Sequence, residues 1–450
     1  MERKISRREF VRATGLAAAS LAMPSCINSS TRRSGMPCRD KTNIILIMAD
    51  DLGYECLGCY GGTSYTTPFL DELAETGMRF DHCYSQPLCT PSRVKIMTGK
   101  YNSRNYTEFG VLDPKQKTFG HLLQRAGYAT CVVGKWQLYG SVNQRQEVRG
   151  TGAYPDRAGF DEFCLWQIKQ RGSRYKDPLI VQNAELRDDL KGKYGPDVFC
   201  EYILDFVERH RNKPFFVYYP MVLVHSPFVP TPDSEDWTKN KHKNDTRYFS
   251  DMVTYMDKIV GRIVGKLDEL GLRENTLILF TGDNGTSRGI KSKVQDRVIQ
   301  GGKGQTTDAG THVPLIANCK GTIPAGTVCG DLVDFSDFFP TSAQIAGAKP
   351  PQGAPIDGRS FLAQLHGKKG NPREWIFCHY EPKWGKWKRK RFVREKRYKL
   401  YEGGQLFDLQ ADPLEEAPIQ RDEQSRQATS ARKRLQAVLH SIEQKAGPVL

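Results

Sequence analysis

Three stretches of this chain run apolar without alternation: Asn43-Ile44-Ile45-Leu46-Ile47-Met48-Ala49, Pro214-Phe215-Phe216-Val217-Tyr218-Tyr219 and Thr276-Leu277-Ile278-Leu279-Phe280-Thr281. A run with no polar face suits a strand buried on both sides, as in a parallel sheet covered by two layers of helices. Each run ends abruptly in polar residues. The first stops at Asp50-Asp51, the second passes through Pro220–Val224 into His225-Ser226-Pro227, and the third stops at Asp283-Asn284-Gly285. Between them, helical periodicity covers Thr67–Gly77, Thr118–Ala126 and Phe249–Leu270. This alternation predicts an α/β fold, a large doubly wound mixed sheet flanked by helices. Ligands of such sheets bind beyond the carboxyl ends of the strands, which gathers Asp50, Asp51, His225, Asp283 and Asn284 around one crevice.

Beyond Pro350 the pattern changes to short strand-like pieces, Trp375–Tyr380, Phe392–Leu400 and Gln405–Leu409, and a terminal helix near Gln424–Lys445. They predict a small C-terminal antiparallel-sheet subdomain over residues 351–450, after an α/β domain over 42–350. A length of 450 residues suits one large domain with a smaller companion. No internal repeat is present.

The amino terminus changes the picture of where the protein works. Arg7-Arg8 in a basic segment, followed by the apolar run Ala13–Met23, reads as a twin-arginine export signal over residues 1–26, with a polar linker over 27–41. The expected location is periplasmic or extracellular. Cys26 stands just after the apolar run as a candidate lipid anchor, although Met23-Pro24-Ser25 is a poor match to the small residues that precede lipidated cysteines. A formal net charge of +15 favours a polyanionic partner. With no zinc-finger or RNP-type motif to support nucleic acid, an exported protein of this charge points to a sulfated or carboxylated glycan. Twelve cysteines would suggest disulfides outside the cell, but twin-arginine substrates fold in a reducing cytosol, so free thiols are expected. Cys56 and Cys59 have the spacing of half a zinc knuckle, and no second pair completes it.

The crevice residues carry the chemistry. Asp50, Asp51, Asp283 and Asn284 offer oxygen donors with no soft ligand, a set suited to Ca²⁺ or Mg²⁺. Asp-Asp and Asp-Asn-Gly are each turn signals, but both occur where buried strands end. Cys89, in Pro87-Leu88-Cys89-Thr90-Pro91-Ser92-Arg93, falls near the N-cap of a helix that Pro91 starts and Gly99 stops. A thiol aimed at a hard-ion site is a mismatch of softness. An aldehyde made from Cys89 would remove it, because the hydrate offers oxygen both as nucleophile and as ligand.

Cys89-Thr90-Pro91-Ser92-Arg93 followed by Thr98-Gly99 resembles the signature of the sulfatases, in which the cysteine of Cys-x-Pro-x-Arg becomes formylglycine. The resemblance extends through Ala49-Asp50-Asp51-Leu52-Gly53-Tyr54, Gly134-Lys135-Trp136, His225-Ser226-Pro227, Gly282-Asp283-Asn284-Gly285, Gly301-Gly302-Lys303-Gly304 and Phe407-Asp408-Leu409-Gln410-Ala411-Asp412-Pro413. It implies a sulfuric ester hydrolase of the alkaline phosphatase superfamily, acting on a sulfated carbohydrate or a small sulfate ester and matured by a formylglycine-generating enzyme. It also implies that Asp50, Asp51, Asp283, Asn284 and the modified Cys89 bind Ca²⁺, with Mg²⁺ as the other candidate. Arg93 would hold the aldehyde hydrate, Lys135 and Lys303 would contact the sulfate, and His225 would face the bridging ester oxygen as general acid. One hydroxyl of the hydrate would attack sulfur, and the second would expel sulfate as the aldehyde re-forms. The chain departs from the pattern after Gly134-Lys135-Trp136, where the family has histidine and this sequence has Gln137, which cannot shuttle a proton.

Two alternatives stand beside that reading. The same anion clamp would serve a phosphoester or phosphonate monoester hydrolase, although a phosphate dianion wants more cation than this site offers. The other is a non-catalytic protein that binds anionic glycans, for which Gln137 and the run Lys383–Arg391, with Trp384 and Trp387, speak most directly.

Overall fold

All seven residues of β1 (Asn43–Ala49) are buried, and the strand lies in the middle of the main sheet, as its unbroken apolar run requires. The computed structural model describes residues 41–240, 242–350, 353 and 355–446. The Arg7-Arg8 signal, Cys26 and the linker up to residue 40 lie outside the described residues. After β1 come β2 (Met78–Tyr84), β3 (Ala129–Lys135), β4 (Glu162–Trp166), β5 (Ile180–Gln182), β6 (Glu185–Leu186), β7 (Phe215–Pro220) and β8 (Thr276–Gly282). They are followed by the hairpin β9 (Lys291–Val294) and β10 (Arg297–Gln300), then by β11 (His312–Asn318) and β12 (Thr327–Asp334).

Ten of these strands form one mixed sheet in the order β12-β2-β11-β8-β1-β7-β3-β4-β5-β6. Strand β1 pairs in parallel with β7 on one side and β8 on the other. Antiparallel β11 between β2 and β8, and the short β5–β6 hairpin at the far edge, make the sheet mixed. Alternate residues of β1 serve two helical layers. Ile45 and Ile47 pack with the helices Pro68–Glu75, Gly195–Arg209 and Tyr248–Glu269, while Ile44, Leu46 and Met48 pack with Cys89–Thr98, Phe119–Arg125 and Phe338–Ile345.

A second, four-stranded antiparallel sheet is built from β13 (Ile376–Tyr380), β14 (Lys390–Arg394), β15 (Tyr398–Tyr401) and β16 (Leu406–Asp408). The stretch Phe392–Leu400, read from its pattern as one piece, is the turn of a hairpin. Charged Glu395-Lys396-Arg397 reverse the chain, and β14 and β15 pair on either side. One face of this sheet, with Phe377, Val393 and Leu400, is covered by Leu435 and Leu439 of the terminal helix Arg426–Ala446. The other face sends Cys378, Tyr380 and Phe392 against Leu88 and Cys89. The small sheet therefore forms part of the wall around the start of the Cys89 helix. All described residues belong to one compact unit. Among them every cysteine is unpaired, and no helix is long and apolar enough to cross a membrane.

Candidate active site

The ends of β1, β7 and β8 are laced together beyond the sheet by main-chain hydrogen bonds. Asp50 N–H donates to Leu223 O at 2.8 Å, Val224 N–H donates to Asp50 O at 2.8 Å, and Asp283 N–H donates to Ala49 O at 2.9 Å. Asp51, at φ +64°, turns back so that its own N–H donates to Asp283 Oδ1 at 2.9 Å. The carboxylates of Asp50, Asp51 and Asp283 and the amide of Asn284 are thus held in one buried group. Ligand atoms of Asp50, Asp51 and His225 lie within 4.8 Å of one another.

Two lysines reach this group from neighbouring elements. Lys135, the last residue of β3, sets its ammonium 2.8 Å from each oxygen of Asp50, and Lys303 sets its own 2.6 Å from Asp51 Oδ2. Burial pushes the Asp50 and Asp51 carboxyls up, but the adjacent cations, Lys135 for Asp50 and Lys303 for Asp51, hold both below the usual range. Among the described residues Asp283 has no cation paired with it. Burial and then the Asp50 charge push it well above the usual range. His225 is pushed down to about 3 by burial and by Lys303. Its imidazole is therefore neutral, with Nδ1 2.6 Å from Ser226 O and Nε2 3.7 Å from Asp51 Oδ2.

This donor set fits a hard divalent cation. Asn284 Nδ2 donates to Asp51 Oδ1 at 2.9 Å and to Gly285 O at 3.0 Å, while its buried Oδ1 has no hydrogen-bond partner. A buried carbonyl oxygen without a donor, beside a carboxyl group with too little positive charge nearby, is the arrangement a bound cation would complete.

Cys89 is the first residue of its helix, with extended Leu88 as N-cap, and is almost fully buried. Gly99, at φ +68°, ends the helix, its N–H donating to Lys95 O. Arg93, one turn after Cys89, lies on the same helix face. Its guanidinium donates to Trp136 O, and Nη2 donates to Gln137 Oε1 at 3.3 Å. Gln137 Oε1 also stands 3.7 Å from Cys89 Sγ. The residue that departs from the family pattern is therefore in contact with both the nucleophile candidate and Arg93. Lys303 is positioned by its neighbours, since its N–H donates to Thr286 O and Gly304 N–H donates to Pro87 O just before Cys89.

A cleft of about 430 Å³ brings Cys89, Lys135, His225 and Lys303 together. Asp50, Asp51 and Arg93 stand behind these lining residues, hydrogen-bonded to Lys135, Lys303 and Gln137 in turn. Among the lining residues that carry no sequence signal strong enough to single them out are Gln144, Gln167 and Arg174. Arg174 is 6% exposed, lies 3.9 Å over the Trp166 ring, and points Nη1 at Asp50 Oδ2 from 3.6 Å without a hydrogen-bond partner. Its segment has no periodicity. The one hint is the polar, basic stretch Gln167–Arg174 directly after the apolar run Phe163-Cys164-Leu165-Trp166, which is another strand ending at the same edge.

The chain matches the family model described as Sulfatase over residues 42–348, and the one described as N-sulphoglucosamine sulphohydrolase, C-terminal, over residues 303–445. It is 28% identical to human arylsulfatase D, over 76% of this chain and 71% of the relative. It is 31% identical to rat N-acetylgalactosamine-6-sulfatase, over 78% of this chain and 70% of the relative. The solved structure of Ps i-CgsB in complex with k-i-k-neocarrahexaose superposes with a TM-score of 0.74 at 25% identity, over 90% of this chain and 93% of that one.

Proposed function

We propose, from the premise that the chain belongs to the sulfatase family and is a sulfuric ester hydrolase, that it releases inorganic sulfate from a sulfated carbohydrate by way of a formylglycine made from Cys89. The observation that carries the reading is the convergence of Cys89, Lys135, His225 and Lys303 on one cleft beside the buried Asp50–Asp51 pair, to which Asp283 and Asn284 are hydrogen-bonded. Similarity to an N-acetylgalactosamine-6-sulfatase and to a protein solved with a bound oligosaccharide supports a carbohydrate substrate.

A Ca²⁺-class ion, held by Asp50, Asp51, Asp283, Asn284 and the modified Cys89, would stabilise negative charge on the sulfate oxygens. The chain supplies the rest. Lys135 and Lys303 bind the sulfate as preorganised cations, strengthened by burial. Arg93, braced on the Trp136 carbonyl, holds the hydrated aldehyde in place. One hydroxyl of the hydrate attacks sulfur, the ester S–O bond breaks, and His225 carries the proton to the departing alcohol oxygen. The second hydroxyl then gives up its proton, the C=O re-forms and sulfate leaves. A serine would lack that second hydroxyl. On the same reading the protein is exported on its Arg7-Arg8 signal to the periplasm or beyond, with Cys26 as the candidate lipid anchor.

The test uses protein co-produced with a formylglycine-generating enzyme and assayed on an aryl sulfate and an aryl phosphonate. Peptide mass spectrometry is expected to find Cys89 as formylglycine, and Cys89→Ala to lose sulfate release while keeping its circular dichroism spectrum. Cys89→Ser is expected to be almost as inactive. More than a few per cent of activity in Cys89→Ala would sink the mechanism, and faster turnover of the phosphonate would move the chain to the sister activity.

A further inference from the structure

A second cavity, of about 590 Å³, adjoins the catalytic cleft, and Arg288 and Trp387 line both. Beyond Trp387 its walls carry Lys388, Arg389, Lys390 and Arg391 from the end of the β13–β14 connection and the start of β14. The acids that line the cavity with these cations are Glu402 and Glu415, and Glu443 approaches Arg391 Nη1 at 3.9 Å. Glu415 is engaged elsewhere, by Lys399 Nζ at 2.7 Å and the Tyr401 hydroxyl at 2.6 Å, and Glu402 is shared between Arg389 and Arg391. Lys388 and Lys390 are exposed and form no ion pair among the described residues. Five lining cations against three acids, one of them committed to Lys399, leave the chamber positive.

The loop that carries these cations is pinned. Trp384 stacks on Phe109, ring centroids 4.8 Å apart, and Trp387 packs so close to Gly304 that a Cβ there would collide with its ring. Gly304, at φ +83°, follows Lys303 directly, so the chamber wall is anchored to the loop that carries a sulfate-clamping lysine. A solvated charge run needs none of this. A chamber of this size takes a sugar unit rather than a lone ion.

We propose that this chamber is a second anion subsite. It seats a further anionic substituent, sulfate or uronate carboxylate, of the same oligosaccharide whose sulfate ester occupies the catalytic cleft, with Trp387 as the partition between the two. The inference rests on the reading of the cleft as a carbohydrate sulfatase site and narrows its substrate to polyanionic oligosaccharides.

The experiment compares wild type with Lys388→Ser/Lys390→Ser, a change confined to exposed side chains without ion-pair partners among the described residues. The probes are a heparin hexasaccharide, an N-acetylheparosan hexasaccharide that keeps carboxylates and lacks sulfates, glucosamine 6-sulfate and p-nitrophenyl sulfate. Tryptophan fluorescence titration, which needs no turnover, is expected to show the heparin hexasaccharide bound about tenfold more weakly by the double variant, with a shallower salt dependence. Glucosamine 6-sulfate affinity and p-nitrophenyl sulfate turnover are expected to be the same in both proteins. A matching loss with the heparosan probe would assign the anion as carboxylate, and a loss with heparin alone would assign it as sulfate. Equal hexasaccharide affinity in both proteins, with aryl sulfate turnover intact, would overturn the subsite and leave the sulfatase reading standing. Failure of matured wild type to hydrolyse any sulfate ester would overturn that reading instead, whatever the titrations show.

Discussion

Lys135 holds its ammonium at equal distance, 2.8 Å, from the two carboxylate oxygens of Asp50, and both side chains are buried. Lys303 does the same service for Asp51, but Asp283, the third acid of the group, has no cation of its own. Asp283→Ala is expected to cut tightly held Ca²⁺ or Mg²⁺ from about one ion per chain to below about a tenth, measured by plasma mass spectrometry after gel filtration. Chelation of wild type is expected to lower its melting temperature by several degrees, since an ion bound only to the folded chain contributes about 4 kcal/mol at a thousandfold excess over its Kd. Unchanged metal content in the variant would place the ion elsewhere.

Far from the cleft, Glu162 at the start of β4 receives Arg209 through Nη1 at 3.0 Å and Nη2 at 2.7 Å, with His210 at 3.0 Å and the Tyr202 hydroxyl at 3.1 Å. Burial pushes this carboxyl up, but the Arg209 and His210 hydrogen bonds outweigh it and hold the group at about 2. A folded-state value below the ordinary 4.5 means stability that is present above pH 4.5 and lost as the pH falls toward 2. Because Arg209 is well exposed, Glu162→Gln is expected to cost only about 1 kcal/mol at pH 7. The gap between variant and wild-type urea midpoints should narrow at pH 3.5. A gap of constant size would show that shape rather than charge is at stake.

The Cys89 helix is tied to both sheets by Lys95. Its ammonium lies 2.6 Å from Asp334 Oδ2 at the end of β12 and 3.2 Å from Phe377 O in β13, and neither charged side chain is more than 1% exposed. Removing the lysine strands a buried carboxylate, so Lys95→Met is expected to cost about 3–5 kcal/mol in denaturant unfolding. Lys95→Met/Asp334→Leu removes both charges and is expected to recover much of that loss. A double variant less stable than the single one would mean that the pair is not coupled.

Lys95 also illustrates what the sequence conceals. A lysine within a helix reads as a solvent-facing position, and only the packing of two sheets around that helix buries it. The strands β1, β7 and β8 are legible because continuous apolar runs have few other uses, and the polar residues that end those runs point directly to Asp50, Asp51, His225, Asp283 and Asn284. Lys135 and Lys303 are legible only through the resemblance, since a lysine after a glycine carries no local signal. The antiparallel insertion of β11 and the edge hairpin β5–β6 are not legible at all, because strand order is decided by contacts distant in sequence.

Arg174 belongs to the illegible part and has a testable role. Its guanidinium is fixed over Trp166, and Nη1 is buried without an acceptor. An anion in the cleft would supply one. Arg174→Met, which keeps the apolar contact with the ring, is expected to raise KM for a sulfated sugar about tenfold with a smaller effect on kcat. Arg174→Lys is expected to recover little, because an ammonium cannot reproduce both the stacking and the fork of donors. A change confined to kcat would instead place Arg174 with the reacting atoms.

Gln137 separates the two halves of the proposed reaction. Its Oε1 accepts from Arg93 at 3.3 Å and stands 3.7 Å from Cys89 Sγ, close enough to orient the hydrate, yet an amide neither takes nor gives a proton. In the proposed reaction, attack on sulfur would leave the proton with His225, which would pass it to the departing alcohol. Expulsion of sulfate then requires the second hydroxyl to lose a proton, and no base stands at residue 137 to take it. The alcohol should therefore appear faster than the free aldehyde is restored. Stopped-flow mixing of matured wild type with a chromogenic aryl sulfate is expected to give a burst of about one equivalent of phenol, followed by a slower steady rate. Gln137 sits at φ +45°, a conformation histidine tolerates, so Gln137→His should fit the same backbone and supply the missing base. It is expected to remove the burst and raise the steady rate about 100-fold, the low end for positioned acid–base catalysis. Gln137→Ala is expected to keep a burst, because it removes orientation but no proton carrier. A linear time course in wild type, with no burst at any substrate concentration, would mean that another group already serves as base and that the substitution at 137 costs the enzyme nothing in the second half-reaction.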